Sequence, residues 1–158
     1  MIIESNTKNL WENNKVDIIF NPVACSNKAC AESRFNDLLK RKRREVYEAW
    51  QDYLVGENPN KLLSDVQLVK IDDNKIIMNA YCYDKSGNLN LLALTKTLVE
   101  LFNLAEEYEL SIGIPRHLYL RNKFLTTSID LIVYTVFSDC RSDVYYSKIH
   151  YNKKYNNR

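Results

Sequence analysis

Residues 66–108 read VQLVKIDDNKIIMNAYCYDKSGNLNLLALTKTLVELFNLAEEY, and a change of period inside this stretch decides the fold. VQLVKI and KIIMNAYCY have strand length and a Val, Ile and aromatic-rich composition, and they flank a turn at 72–74. After the loop DKSGN the period lengthens. Leu91, Leu94, Leu98, Leu101 and Ala105 recur at helical spacing, with Phe102 beside them. Two consecutive strands followed by an amphipathic helix predict a sheet covered by helices.

The flanking sequence extends the pattern. Upstream, MII is a short apolar start, TKNLWENN a connector, and KVDIIFNPV an apolar run of buried-strand length. Residues 29–54 read as helix, with Phe35, Leu38, Leu39, Val46, Ala49, Trp50, Tyr53 and Leu54 near helical spacing. Its middle, Lys40 to Arg44, holds five successive basic residues, which cannot share one helix face, so a break between two helices is expected there. GENPN is a turn. Downstream come a short strand in LSIGIP, a helix over 126–137 with Ile129, Ile132, Val133 and Val136 inward, and a last strand in DVYYSKIHY. The prediction is an α/β three-layer sandwich: a mixed central sheet with helices on both faces. One domain is expected over 1–151, with a flexible basic tail over 152–158. Ligands of open α/β sheets sit beyond the carboxyl ends of the strands, which directs attention to the loops after Val23, Tyr83 and Ile114.

Composition narrows the function classes. The chain of 158 residues is 46% hydrophobic with a formal net charge of +2, so nothing draws it globally to nucleic acid or to a membrane surface. No apolar run approaches the roughly 20 residues of a membrane span. The start MIIESNTKNLW lacks the features of a secretory signal, so a cytoplasmic protein with reduced thiols is expected (host cytoplasm, if phage-encoded). Cys25, Cys30, Cys82 and Cys140 are widely spaced, and His117 and His150 are the only histidines, so no metal or other cofactor is expected. Gly56, Gly87 and Gly113 are the only glycines, too few for phosphate cradles built of backbone N–H groups.

Element order and several short segments make the chain resemble the macro domain, an ADP-ribose-binding family. The likeness is to its single-domain phage and bacterial members, near the ADP-ribosyl-glutamate hydrolases. KVDIIFNPV resembles the family's Val-Asp-Ile-type strand. Glu45-Val46-Tyr47-Glu48-Ala49-Trp50 resembles its PevYeaY helix segment. Leu63 to Val69 and Ile77-Met78-Asn79 resemble its lGevqlv and yvaN strands, and Ser111-Ile112-Gly113-Ile114-Pro115 its SvaiP strand. The departures fall at the functional loops. Asn9 stands for the Asp that contacts adenine in the family, and keeps an acceptor without the charge. Ala29-Cys30-Ala31-Glu32 replaces a Met-Gly-x-Gly loop and puts Glu32 near a pyrophosphate. RHLYLRNKFL replaces the second glycine-rich loop and lacks the hydrolases' Asp. Cys82 or Tyr83 occupies the place of their Lys, with Lys85 displaced from it.

The resemblance implies a pocket with Asn9, Asn21, Asn27 and Cys30 on one side and Arg116, His117 and Arg121 on the other. There, cationic side chains would replace lost backbone donors. Tyr83 and Tyr119 would stack on adenine or ribose. The bland readings are a solvated loop for the arginines, a solvated helix surface for Lys40 to Arg44, and inert thiols for Cys25 and Cys30. No catalytic residue is assigned. The expected function is non-catalytic binding of ADP-ribose or a related, cyclic signalling nucleotide, which the protein would sequester. The alternative is a pseudo-domain that binds a protein partner and no nucleotide. A weak ADP-ribosyl hydrolase ranks below both, and nucleic-acid binding through the basic run ranks last.

Overall fold

The structure, a computed structural model, describes residues 1–5, 10–26, 39–55, 59–72, 74–116 and 123–147. Six strands form one sheet: β1 (Ile2–Ser5), β2 (Ile18–Ala24), β3 (Val66–Asp72), β4 (Lys75–Tyr83), β5 (Ile112–Pro115) and β6 (Val144–Ser147), in the order β1-β6-β5-β2-β4-β3. All neighbours run parallel except β3 and β4, the antiparallel pair expected from residues 66–83. β2 is buried at every position. A strand covered on both faces reads as a continuous apolar run rather than an alternating one.

The covering helices are α1 (Arg44–Leu54), a helical turn α2 (Pro59–Leu62), α3 (Leu91–Tyr108) and α4 (Lys123–Val136). Side chains alternate between the two faces of a strand. Ile19 and Ile77 pack with Leu39 and Val46 beside α1, whereas Ile18, Phe20 and Met78 pack with Leu94, Leu98 and Leu101 of α3. The sheet is therefore mixed and carries helices on both faces, as the period change predicts.

Local chemistry sets the helix ends. Asn90 precedes α3 in an extended conformation, and its side-chain oxygen accepts from the Ala93 N–H at 2.9 Å, which starts the helix at Leu91. The expected break in the basic run falls at Arg43, between the helical residues 39–42 and α1. The connector before β2 contains a 3-10 turn, Leu10–Glu12, and Leu10 is 1% exposed, so this segment fills the core rather than only linking strands. At the lower ends of the strands, the Ser111 N–H donates to the Asp17 carboxylate at 2.9 Å and the Asp17 N–H donates to the Ser111 carbonyl at 3.0 Å, which ties β2 to β5. Among the described residues, no helix is long and apolar enough to cross a membrane.

Candidate functional site

β2 and β5 share hydrogen-bonded rungs at Ile18–Ile112 and Ile19–Gly113, and no later rung joins them among the described residues. β2 continues to Ala24 and β5 to Pro115. The seam beyond Gly113 therefore separates the ends of two parallel strands, at the sheet edge where open α/β folds take ligands. Ala24 to Ser26 lie on one side and Arg116 on the other. Asn21 stands on β2 next to the seam. It is 1% exposed and donates to Asn79 of β4 at 2.9 Å. Asn79 in turn donates to Gln67 of β3 at 3.2 Å, and Gln67 donates to the Ala49 carbonyl of α1 at 3.1 Å. A chain of amides runs across three strands to α1.

The end of β2 is held tightly. The Trp50 indole N–H donates to the Ala24 carbonyl at 2.9 Å, and the Cys25 N–H donates to the Tyr83 carbonyl at 3.0 Å. Cys25 is 2% exposed, and its thiol is pushed up to about 11, first by burial and then by the charges of Asp84 and Asp65. Cys25 is thus a protonated thiol at neutral pH.

After β4 the chain folds straight back. The Asp84 carboxylate accepts from the Ser86 and Asn88 N–H groups, both at 2.9 Å, Gly87 takes φ 83°, and the Asn90 N–H returns to the Cys82 carbonyl at 2.8 Å. Cys82 is fully buried, and burial raises its thiol pKa further. Tyr83 is 5% exposed, so stacking on a ligand requires uncovering its ring. Lys85 is exposed within the loop.

Arg116 is at the expected place, directly after β5, but its guanidinium turns to protein carboxylates. It lies 3.2 Å from Glu4 of β1 and 3.1 Å from Asp130 of α4, and 5.2 Å from the ring centre of Tyr146 of β6. The Tyr146 hydroxyl bonds to Asp130 and the Tyr134 hydroxyl to Glu4. The Asp130 hydrogen bond raises the arginine pKa against the desolvation cost, so the guanidinium stays charged. A phosphate on Arg116 has to compete with both carboxylates.

Asn9, Asn27, Cys30, His117, Tyr119, Arg121 and the tail 152–158 lie outside the described residues. In the basic run, Lys40 sits 4.9 Å from the Tyr47 ring centre, Arg43 pairs with Glu45 at 3.8 Å, and Arg44 pairs with Glu48 at 3.0 Å. No group of three or more His, Cys, Asp or Glu side chains gathers as a metal site among the described residues. Sequence reading missed the partners: Trp50 for Ala24, and Glu4 and Asp130 for Arg116. Each carries an ordinary local signal (helix core for Trp50, surface charge for the acids), and only the fold brings them together.

No protein-family model and no curated protein matches the chain at a significant level. Solved structures do. The macrodomain of Mycobacterium tuberculosis DarG aligns at TM-score 0.74 and 18% identity, over 95% of this chain and 99% of that one. The macrodomain of Thermus aquaticus DarG aligns at TM-score 0.73 and 13% identity, again over 95% and 99%. Thermosipho africanus DarTG, solved in complex with ADP-ribose, aligns at TM-score 0.61 and 11% identity, over 85% of this chain and 38% of that one.

Proposed function

We propose that this chain, which has the macrodomain fold, binds ADP-ribose or a related cyclic nucleotide across the ends of β2, β4 and β5, and does not hydrolyse it. The observation that carries the reading is the seam that opens between the end of β2, followed by Cys25 and Ser26, and the end of β5, followed by Arg116. The DarTG structure with ADP-ribose supports the ligand class. The ligand contacts are assigned to Asn9, Asn27 and Cys30 on the first side, and to His117, Tyr119 and Arg121 on the second. Asn21 and Tyr83 form the floor. Arg116 is already paired with Glu4 and Asp130, so most of the phosphate charge is assigned to His117 and Arg121.

The absence of turnover follows from what stands at the hydrolases' lysine position. Cys82 and Tyr83 are buried, and Cys82 is a protonated thiol, so neither offers an accessible charged group. The second loop has no Asp in RHLYLRNKFL. Positioned charges and donors supply much of the rate in such sites.

Calorimetric titration with ADP-ribose and its cyclic relatives tests the binding. A saturable isotherm is expected, with a melting temperature that climbs with ligand concentration by mass action. Incubation with a glutamate-ADP-ribosylated protein should release no ADP-ribose. Release abolished by a point substitution in the cleft contradicts the non-catalytic reading. If no nucleotide binds, the partner-binding pseudo-domain takes its place.

A further inference from the structure

The peptide unit that joins Ala24 to Cys25 is gripped from opposite sides. Its carbonyl accepts the Trp50 indole N–H of α1 at 2.9 Å, and its N–H donates to the Tyr83 carbonyl of β4 at 3.0 Å. A trans peptide is planar, with its C=O and N–H pointing opposite ways, so two such bonds fix the rotation of the whole unit. The unit also sits at a register shift. Val23 stands opposite Tyr81, but Ala24 stands opposite Tyr83. Irregularities of this kind re-aim a strand. Trp50 itself has little freedom: it is 4% exposed, and Tyr47 packs edge-on against it at 5.5 Å between ring centres.

We infer that Trp50 is a positioning residue whose indole N–H sets the direction in which the chain leaves β2 for the first ligand loop, and so the fit of that loop to the nucleotide. The inference rests on the proposed nucleotide site. A tryptophan retained only for packing needs no particular nitrogen. Here the nitrogen meets the last carbonyl of the strand that walls the seam. That carbonyl is buried, and its loss of partner leaves an acceptor unsatisfied at the root of the loop.

Trp50→Phe keeps most of the ring and removes the donor. Val46→Ala is the control: Val46 lies on the same helix, 1% exposed, but packs in the separate cluster with Ile19 and Ile77. At a temperature where all variants are folded, Trp50→Phe should weaken ADP-ribose about tenfold, the worth of one buried hydrogen bond. Val46→Ala should lower the melting temperature and leave Kd unchanged. A Trp50→Phe variant that binds as tightly as the parent, or a Val46→Ala variant that weakens equally, overturns the inference.

A second readout does not depend on nucleotide. Iodoacetamide labelling of Cys25 is measured by mass spectrometry, with Cys30 resolved because trypsin cleaves at Lys28. Labelling should be several-fold faster in Trp50→Phe and unchanged in Val46→Ala. If the parent binds no ADP-ribose, the function proposed above falls and this rate decides the positioning role: an unchanged rate in Trp50→Phe overturns it. Should Trp50→Phe fail to fold, Trp50→Met, which also lacks a donor, takes its place in both measurements.

Discussion

Gly113 shows how a residue type can be informative while its role is not. In the sequence it is the last glycine, inside a strand that resembles the one leading to a glycine-rich loop in macro domains. In the structure its missing side chain makes room for the core. A Cβ there would stand 2.8 Å from Val16 Cγ1 and 3.3 Å from Leu10 Cδ2. Val16 is 1% exposed and β-branched, so it has no easy alternative rotamer. Gly113→Ala should therefore destabilise the protein by roughly 1–3 kcal/mol, as overpacked cores do. Urea midpoints should show that adding Val16→Ala costs less in the Gly113→Ala background than in the parent, because the valine is then the source of the strain. Equal costs in the two backgrounds would exclude the clash. Arg116 is similar: its place after β5 marks it as a candidate phosphate ligand, and the structure adds two carboxylates with which a phosphate has to compete.

At the scale of elements, α3 was the most legible part of the chain. Its stripe Leu94, Leu98, Leu101 and Ala105 is buried, whereas Leu92 and Val99 on its outer side are 64% and 42% exposed. The helix ends were less legible because capping depends on the backbone of single residues. Asn90 ends the loop in an extended conformation and caps α3, and Glu109 closes it in the left-handed region at φ 54°. Asn90→Ala should lower stability by about 1 kcal/mol, while Asn90→Asp should hold it near the parent value. Denaturant unfolding monitored by circular dichroism checks both, and an unaffected Asn90→Ala midpoint removes the cap from the account. α4 begins at Lys123, three residues before the first expected helical residue. The basic run broke where five like charges in sequence predicted, at Arg43.

The whole molecule determines the chemistry of Cys25. This thiol closes the end of β2, and the charges that raise its pKa come from Asp84 after β4 and Asp65 before β3. Burial contributes most, and the pKa rises to about 11. In the unfolded chain a cysteine ionises near 8.5. The folded state therefore favours the protonated thiol, and its contribution to stability is complete below about pH 8.5 and lost as the pH rises through the folded value. The stability difference between the parent and Cys25→Ala should shrink by on the order of 2 kcal/mol between pH 8 and pH 11. Other titrations cancel in that difference, so a gap independent of pH contradicts the assignment.

What the sequence determined by itself was local. Period and composition along the chain yielded the strands, the long helix and the mixed sheet, and with them the sheet edge proposed for a ligand, because these depend on residues within a few positions of one another. Which side chains meet at that edge was decided only by the tertiary structure. The strand order β1-β6-β5-β2-β4-β3 brings Glu4 from the start of the chain to Arg116, and packing of α1 brings Trp50 to the end of β2. An indole, a carboxylate or a thiol has the same local signature whether its partner is protein or ligand. The physical difference lies in distance and burial, which exist only once elements far apart in sequence have packed.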